Sequence, residues 1–324
     1  MTPYSLLIPA YNCEKDLDRL LGQVMAMDYP KDSFEIIVVD DGSTDNTTSV
    51  ANQYGVKLVK HPKNLGRVLA RETAAKKATH ETLVFIDARV NVKNDLLRNA
   101  HALDHLPLMG VGASDKYRST IDRVFYCIRR KVYHPFEPQE KYDSELWLKP
   151  GSFDGRPKGT GLLIIDKNMF LGCQLEEKGQ DVNDDTKLLW NIAQKSPILR
   201  HTDLSFFYEH RQDWNSLLKH TFFRGPKFLD YYLVPGGPLF YPWILGLLSL
   251  VGLVISIPFL PWIGYLMIAL PIVVLIGASL WISEEFTDLP YCLFFFPPVA
   301  LSFISGITFA QFSRWMGRRD WIKH

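Results

Sequence analysis

No charged residue occurs between Tyr231 and Ser283 of this 324-residue chain, and none between Leu289 and Ser313. A soluble core does not absorb stretches of that length, because roughly 20 consecutive apolar residues already span a bilayer. Three such segments fit, at about 239–257, 262–282 and 292–312, and predict an α-helical membrane domain over residues 231–324. The whole chain has 36 Lys+Arg and 35 Asp+Glu, a net charge of +1, nearly all of it in the first 230 residues. That balance excludes a nucleic-acid protein built on bulk positive charge. The four cysteines (Cys13, Cys127, Cys173, Cys292) are scattered without a CxxC pair, which argues against a disulfide framework or a zinc knuckle. The N-terminus lacks a basic n-region, and its apolar run Leu6-Leu7-Ile8 stops at Pro9, unlike a signal peptide. The expectation is an integral protein of the cell (inner or plasma) membrane with its front domain in the cytoplasm. Three crossings would put the basic tail (Arg314, Arg318, Arg319, Lys323) outside, against the positive-inside tendency, unless one segment is re-entrant or interfacial.

Residues 1–230 read differently. Ser5–Pro9 and Phe34–Val39 are short apolar runs of the kind buried in parallel sheets, and Val56–Val59 and Leu83–Ile86 repeat the pattern. Between them Glu14–Met27 carries Leu17, Leu20, Leu21, Val24 and Met25 at helical spacing, and Leu69–Ala78 is an Ala-rich helix. Alternating strands and helices predict an α/β fold with a mostly parallel sheet, whose ligands bind past the carboxyl ends of the strands. Tyr117–Tyr133 reads as a helix with Arg123, Arg129, Arg130 and Lys131 beside an apolar face, suited equally to an anionic membrane surface or to packing on the sheet. Residues 213–228 mix Trp214, Leu217, Leu218, Phe222 and Phe223 with Lys219, Arg224 and Lys227, the composition of an interfacial helix.

The polar residues cluster at predicted strand ends: Pro9-Ala10-Tyr11-Asn12, then Asp40-Asp41-Gly42-Ser43-Thr44-Asp45, then Asn64-Leu65-Gly66. The acidic block lacks the loop spacing and twelfth-position Glu of an EF-hand, so its place after a buried strand points to a hydrogen-bonding ligand. Ser43 and Asp45 also suit a helix cap.

IPAYN, VVDDGSTDNT, NLG followed by Ala70-Arg71, and a strand-terminal Asp87 resemble the inverting family-2 glycosyltransferases with the GT-A fold, a Rossmann-like architecture, over roughly residues 4–230. The resemblance implies a nucleotide-sugar donor, with Pro9, Tyr11, Asp40 and Asp41 contacting the nucleoside and Asn64, Gly66, Arg67 and Arg71 lining the donor site. It implies a DxD at Asp87, where this sequence reads Asp87-Ala88-Arg89. Asp87 and Arg89 join the donor-binding set, with the Arg89 guanidinium as the permanent charge beside the donor diphosphate. An arginine in place of the second carboxylate also weakens the Mg²⁺ or Mn²⁺ site that Asp87 and His210 would otherwise share, and makes reduced metal dependence the expectation. Asp184-Asp185 resembles the family's acidic pair at a helix start. Asp185 falls on the general base that an inverting transfer needs to deprotonate an acceptor hydroxyl, and both acids have a capping role as the plain alternative. Arg224 stands where processive synthases carry QxxRW, but the Gln and Trp are missing, so it is assigned to the donor diphosphate or a lipid headgroup. The whole reads as a membrane-anchored transferase with a lipid-linked acceptor. The alternatives are a polyprenyl-phosphate sugar synthase, whose anionic acceptor needs no base, and a non-catalytic GT-A scaffold.

Overall fold

The computed structural model describes residues 1–113, 118–133, 145–176, 184–210, 213–237, 239–256, 258 and 262–316. Tyr117 and the tail residues Arg318, Arg319 and Lys323 lie outside the described residues. The chain divides into two compact units, Met1–Ser114 with Pro135–His210, and Asp115–His134 with Arg211–His324.

The first unit opens with β1 (Tyr4–Ala10), α1 (Glu14–Met25), β2 (Phe34–Asp40), α2 (Thr47–Gln53), β3 (Lys57–Lys60), α3 (Arg67–Lys77) and β4 (Thr82–Ile86). Leu6, Leu7 and Ile8 of β1 and Ile37, Val38 and Val39 of β2 are wholly buried, as strands covered on both faces must be. α1 turns Leu17, Leu20, Leu21 and Val24 into that core, one helical face as the spacing predicts. β1 pairs in parallel with both β2 and β4, and β2 with β3, so these strands end at one edge of the sheet.

After β4 come β5 (Val90–Asn91), α4 (Leu96–Leu103) and β6 (Leu108–Ala113); then α5 (Thr120–Tyr133), which belongs to the second unit; then β7 (Glu145–Leu148), β8 (Leu162–Asp166), α6 (Lys167–Leu171), α7 (Asp184–Lys195) and β9 (Ile198–Tyr208). Among the described residues the strands form one sheet in the order β3-β2-β1-β4-β8-β6-β9-β5, with β7 added on β9. The expectation of a mostly parallel sheet is corrected here. β8 runs antiparallel to both β4 and β6, and β5 and β7 antiparallel to β9, which makes the sheet mixed. An antiparallel neighbour needs no crossover helix, and residues 149–161 ahead of β8 supply only a single 3₁₀ turn. The consequence is functional: β8 begins at the edge where β1, β2 and β4 end, so residues just before it join theirs.

The second unit holds α5, α8 (Trp214–Tyr232), α9 (Phe240–Ser256), α10 (Trp262–Ile282) and α11 (Leu289–Trp315). Two stretches, Gly264–Ile282 and Phe286–Trp315, are long and apolar enough to cross a membrane, and Phe240–Ser249 is a shorter apolar helix, so the three expected spans reduce to two candidates by length and composition. α5 packs within this unit. Its Arg123 Nε donates to Asp288 at 2.6 Å, while Arg130 and Lys131 reach Glu284 at 3.8 and 3.7 Å. Three of the four basic groups thus face the acidic turn between α10 and α11.

Candidate active site

The carboxyl end of β2 organises the first half of the site. Asp40, 1% exposed, accepts the Ser43 N–H at 2.9 Å through Oδ1 and the Thr48 hydroxyl through Oδ2. Asp41, 4% exposed, accepts His61 Nδ1 (2.7 Å) and the Leu65 N–H (2.9 Å) on Oδ1, and the Gly66 N–H (2.8 Å) on Oδ2. The second carboxylate therefore folds the 61–66 loop back over the strand end, and Asn64 Oδ1 accepts the Gly66 N–H as well, at 3.0 Å. Gly42 is required here: its φ is +75°, and a Cβ would stand 2.5 Å from the Lys63 carbonyl carbon. Asn12, at φ 46°, receives Thr44 N–H on its side-chain oxygen at 2.8 Å, which ties the residues after β1 to those after β2. Between them Tyr11 is 46% exposed at the sheet edge, with Pro9 still in β1 beside it. Burial pushes the neighbouring Cys13 thiol up to about 12, which leaves it inert as a nucleophile.

α3 begins at Arg67, with Gly66 as its N-cap, two residues earlier than sequence periodicity predicts, and that puts Arg67 and Arg71 one turn apart on the same face. Both reach carboxylates. Arg67 lies between two of them, Nη1 at 3.8 Å from Asp87 Oδ2 and Nη2 at 3.7 Å from Asp185 Oδ2. Arg71, nearly enclosed, donates from Nη1 to Asp185 Oδ1 at 3.0 Å and from Nη2 to Thr160 Oγ1 at 2.6 Å. Thr160 is 2% exposed and in turn donates to Asp185 Oδ1. Burial works to raise the Asp185 carboxyl, but the Arg67 and Arg71 charges and the hydrogen bonds from Thr160 and Arg71 outweigh it and hold the group well below the usual carboxylate range. A depressed carboxyl stabilises the fold fully above its ordinary pKa, and that contribution fades only as strong acid protonates it. Asp184 opens α7; its side chain and the whole of Asn183 lie outside the described residues.

Thr160 was not singled out from the sequence. The signal was a lone hydroxyl between Gly159 and Gly161 ahead of LLII, meaningful only once that strand runs antiparallel to β4, with the Asp87 N–H on the Gly161 carbonyl at 3.0 Å. We expect Thr160→Val to lower turnover by about 10-fold or more, the scale of a lost hydrogen bond to a charged group. Thr160→Ser should recover most of it, and comparing kcat and KM for the two variants checks this; equal loss in both would assign Thr160 to packing.

The donor set for a divalent ion is thin. Asp87 Oδ1 accepts the Arg89 N–H at 3.0 Å, and its other oxygen faces Arg67. His210 sits edge-on to Tyr208, with ring centroids 5.7 Å apart. Among the described residues no three His, Cys, Asp or Glu side chains converge. These residues do not fit a cation cage built by the protein alone. The guanidinium beside Asp87 is that of Arg67, whereas Arg89 turns to Asp16, Nε to Oδ2 3.6 Å. Calorimetric titration of Mn²⁺ into donor-free protein is therefore expected to show no saturable binding tighter than about 10⁻⁴ M. Tight binding that disappears in Asp87→Asn would refute this. Arg224 lies on α8, exposed, in the second unit.

Residues 5–106 match the family described as Glycosyl transferase family 2. A 107-residue stretch is 35% identical to the poly(ribitol-phosphate) beta-N-acetylglucosaminyltransferase TarS of Staphylococcus aureus, over 32% of this chain and 19% of that one. Another, of 102 residues, is 30% identical to the dolichyl-phosphate beta-glucosyltransferase ALG5C of Trichomonas vaginalis, over 28% of this chain and 30% of that one. The match thus covers under a third of either curated relative. Among solved structures the mannosyltransferase PcManGT from Pyrobaculum calidifontis, in complex with GDP-Man and Mn²⁺, shares the fold with a TM-score of 0.61 at 20% identity, over 97% of this chain and 88% of that one.

Proposed function

Since the chain carries a Glycosyl transferase family 2 domain over residues 5–106, we propose that it is an inverting, nucleotide-sugar-dependent glycosyltransferase acting at a membrane on a lipid-linked acceptor. The observation that carries the reading is Arg67, set between Asp87 and Asp185 at the strand-end edge of the sheet. A nucleoside diphosphate leaving group needs a cation beside it, and an inverting attack needs a carboxylate on the acceptor side. Arg67 is 37% exposed by its side chain, so the donor diphosphate competes for it, whereas Arg71, 4% exposed, stays with Thr160 and keeps Asp185 in place. Donor binding then removes one of the two charges that make Asp185 a weak base, and raises its basicity where the acceptor hydroxyl arrives. Pro9, Tyr11, Asn64 and Gly66 form the nucleoside side of this site, with Asp40 and Asp41 shaping the loops that bear them. The apolar helices of the second unit supply a reason for a lipid-borne acceptor, since a soluble one would not require them.

A second reading follows from the depressed carboxyl of Asp185. A strongly ionised, poorly basic group suits an acceptor that is already anionic, as in a polyprenyl-phosphate sugar synthase, and one relative is named as a dolichyl-phosphate glucosyltransferase. A panel of nucleotide sugars tested by thermal shift and by radiolabel transfer into a lipid extract decides among these. A ligand that binds only the native state must raise its melting point. Transfer to a lipid product stable to mild acid supports the hydroxyl acceptor, and an acid-labile product supports the phosphate. Donor binding without any transfer would leave only a non-catalytic scaffold.

A further inference from the structure

We propose that α8 and α11 lie side by side along the membrane surface, so that α9 and α10 alone cross the bilayer and the C-terminal tail leaves on the side of α5. The proposal rests on the membrane reading above and concerns how the second unit meets the lipid.

α8 carries Lys219, His220, Arg224, Lys227 and Asp230 within 19 residues, and ionisable groups at that density are too costly in hydrocarbon. It nevertheless runs parallel to α11 for almost its whole length. Leu217 packs on Val299, and Ser302 Oγ donates to the Leu218 carbonyl at 2.8 Å. At the next turns the backbones nearly touch: a Cβ on Gly306 would stand 2.0 Å from the Phe222 carbonyl oxygen, and one on Gly225 2.5 Å from Ile307 N. Leu229 then meets Ile307 and Ala310, and Arg314 Nη2 reaches Asp230 at 3.2 Å. From Val299 to Arg314, about 22 Å of helix, α11 therefore keeps the depth of a charged neighbour. Its other end is held by α5 through Arg123–Asp288 and through Cys127 against Cys292, with Pro297 and Pro298 between the two contacts as a place to bend. The outward stripe of α11 is apolar and exposed, with Phe294 at 78%, Leu301 at 52%, Phe312 at 57% and Trp315 at 80%. By length and composition α11 could itself span a bilayer, and it is uncharged from Leu289 to Ser313, so what sets its depth in this arrangement is the charged helix α8 packed along it.

Chain connectivity leads to the same arrangement. α9 starts beside the C-terminal end of α11, where Trp243 Nε1 donates to Gln311 Oε1 at 3.0 Å, and α10 ends beside its N-terminal end, where Ile282 packs on Cys292. α9, Phe240–Ser256, is shorter than the two candidate spans but at 17 residues stands at the lower limit for a crossing. One crossing by α9 and one by α10 return the chain to the face it left, so both ends of α11 lie on that face. If α11 crossed instead, α9 and α10 together would make only one net crossing, and α8 would be drawn through the bilayer with its charges. The in-plane arrangement also keeps Arg314 on the side of α5, as the positive-inside tendency favours.

Single cysteines at Asn215→Cys, Pro258→Cys and Lys323→Cys, read with an impermeant maleimide in sealed vesicles of both orientations, test this. A Cys13→Ala chain serves as background, since Cys13 is partly exposed while Cys127, Cys173 and Cys292 are buried. Asn215→Cys and Lys323→Cys should label from the same face, and Pro258→Cys from the opposite one. Nitroxides at Leu301→Cys and Phe312→Cys should report equal, shallow depths. Labelling of Lys323→Cys from the face opposite Asn215→Cys, or of Pro258→Cys from the same face, would overturn the arrangement while leaving the membrane reading intact. Release of the wild-type chain from membranes by alkaline carbonate would overturn both.

Discussion

Asp185→Asn is expected to lower kcat for sugar transfer by about 10²–10⁴-fold, the usual range for removing a general base, with donor affinity no weaker than native, since Arg67 loses one of its two carboxylates. The amide keeps the size of the side chain and can still accept from Thr160, but it cannot take the acceptor proton. It also removes the charge that balances the nearly enclosed Arg71 guanidinium, 3.0 Å away in the native protein. For that reason the melting temperature and the donor dissociation constant must be measured beside the rate. A folded variant with donor affinity no weaker than native and a large loss in kcat assigns Asp185 to the chemistry. A loss of under about tenfold would remove the base and favour the anionic acceptor. Asp185→Glu separates charge from position. It keeps the ion pairs but moves the carboxylate outward, so a low kcat with a near-native melting temperature would indicate that placement by Thr160 and Arg71 matters as much as charge.

How far the sequence led depended on whether a residue's neighbours were local. β1, β2 and β4 were legible because runs such as Leu6-Leu7-Ile8 and Ile37-Val38-Val39 belong to buried parallel strands whatever surrounds them. The acidic block after β2 was legible as a site element, although not the work its members do. Asp41 spends its oxygens on His61, Leu65 and Gly66, partners 20 or more residues away that no spacing rule connects. Arg67 lay beside the quoted motif, yet its position between Asp87 and Asp185 required α3 to start at Arg67 and α7 to approach it from more than 100 residues on. Thr160 stayed hidden because its relevance depends on strand direction, and a parallel β8 would have carried it to the other end of the sheet. The same holds for α5, whose Arg123, Arg130 and Lys131 suited a membrane surface and the solvated edge of a sheet-packed helix equally until the turn carrying Glu284 and Asp288 met them.

That last contact yields the second large effect. Arg123→Ala is expected to destabilise the second unit by about 3–5 kcal/mol, the scale for breaking a buried ion pair from one side. Asp288 is wholly buried, and its Oδ1 accepts Arg123 Nε at 2.6 Å while Oδ2 caps the turn by accepting the Glu285 N–H at 3.0 Å. Removing the guanidinium leaves a wholly buried carboxylate without that cation beside it. It also removes the stacking of Arg123 over Tyr291, 4.4 Å from the ring centroid, which Arg123→Lys would only partly replace. The exposed Arg98–Asp28 pair, with side chains 58% and 66% accessible, supplies the contrast. Arg98→Ala should cost under about 1 kcal/mol, because water screens and replaces that interaction. Thermal melts of the full chain in detergent, with Arg123→Ala, Arg98→Ala and the double variant Arg123→Ala/Asp288→Asn, measure the difference. Neutralising that buried acid should return part of the lost stability, since the penalty lies mainly in the buried charge and less in the missing bond. Equal, small shifts for Arg123→Ala and Arg98→Ala would show that the acidic turn is solvated and that α5 is held by its apolar face alone.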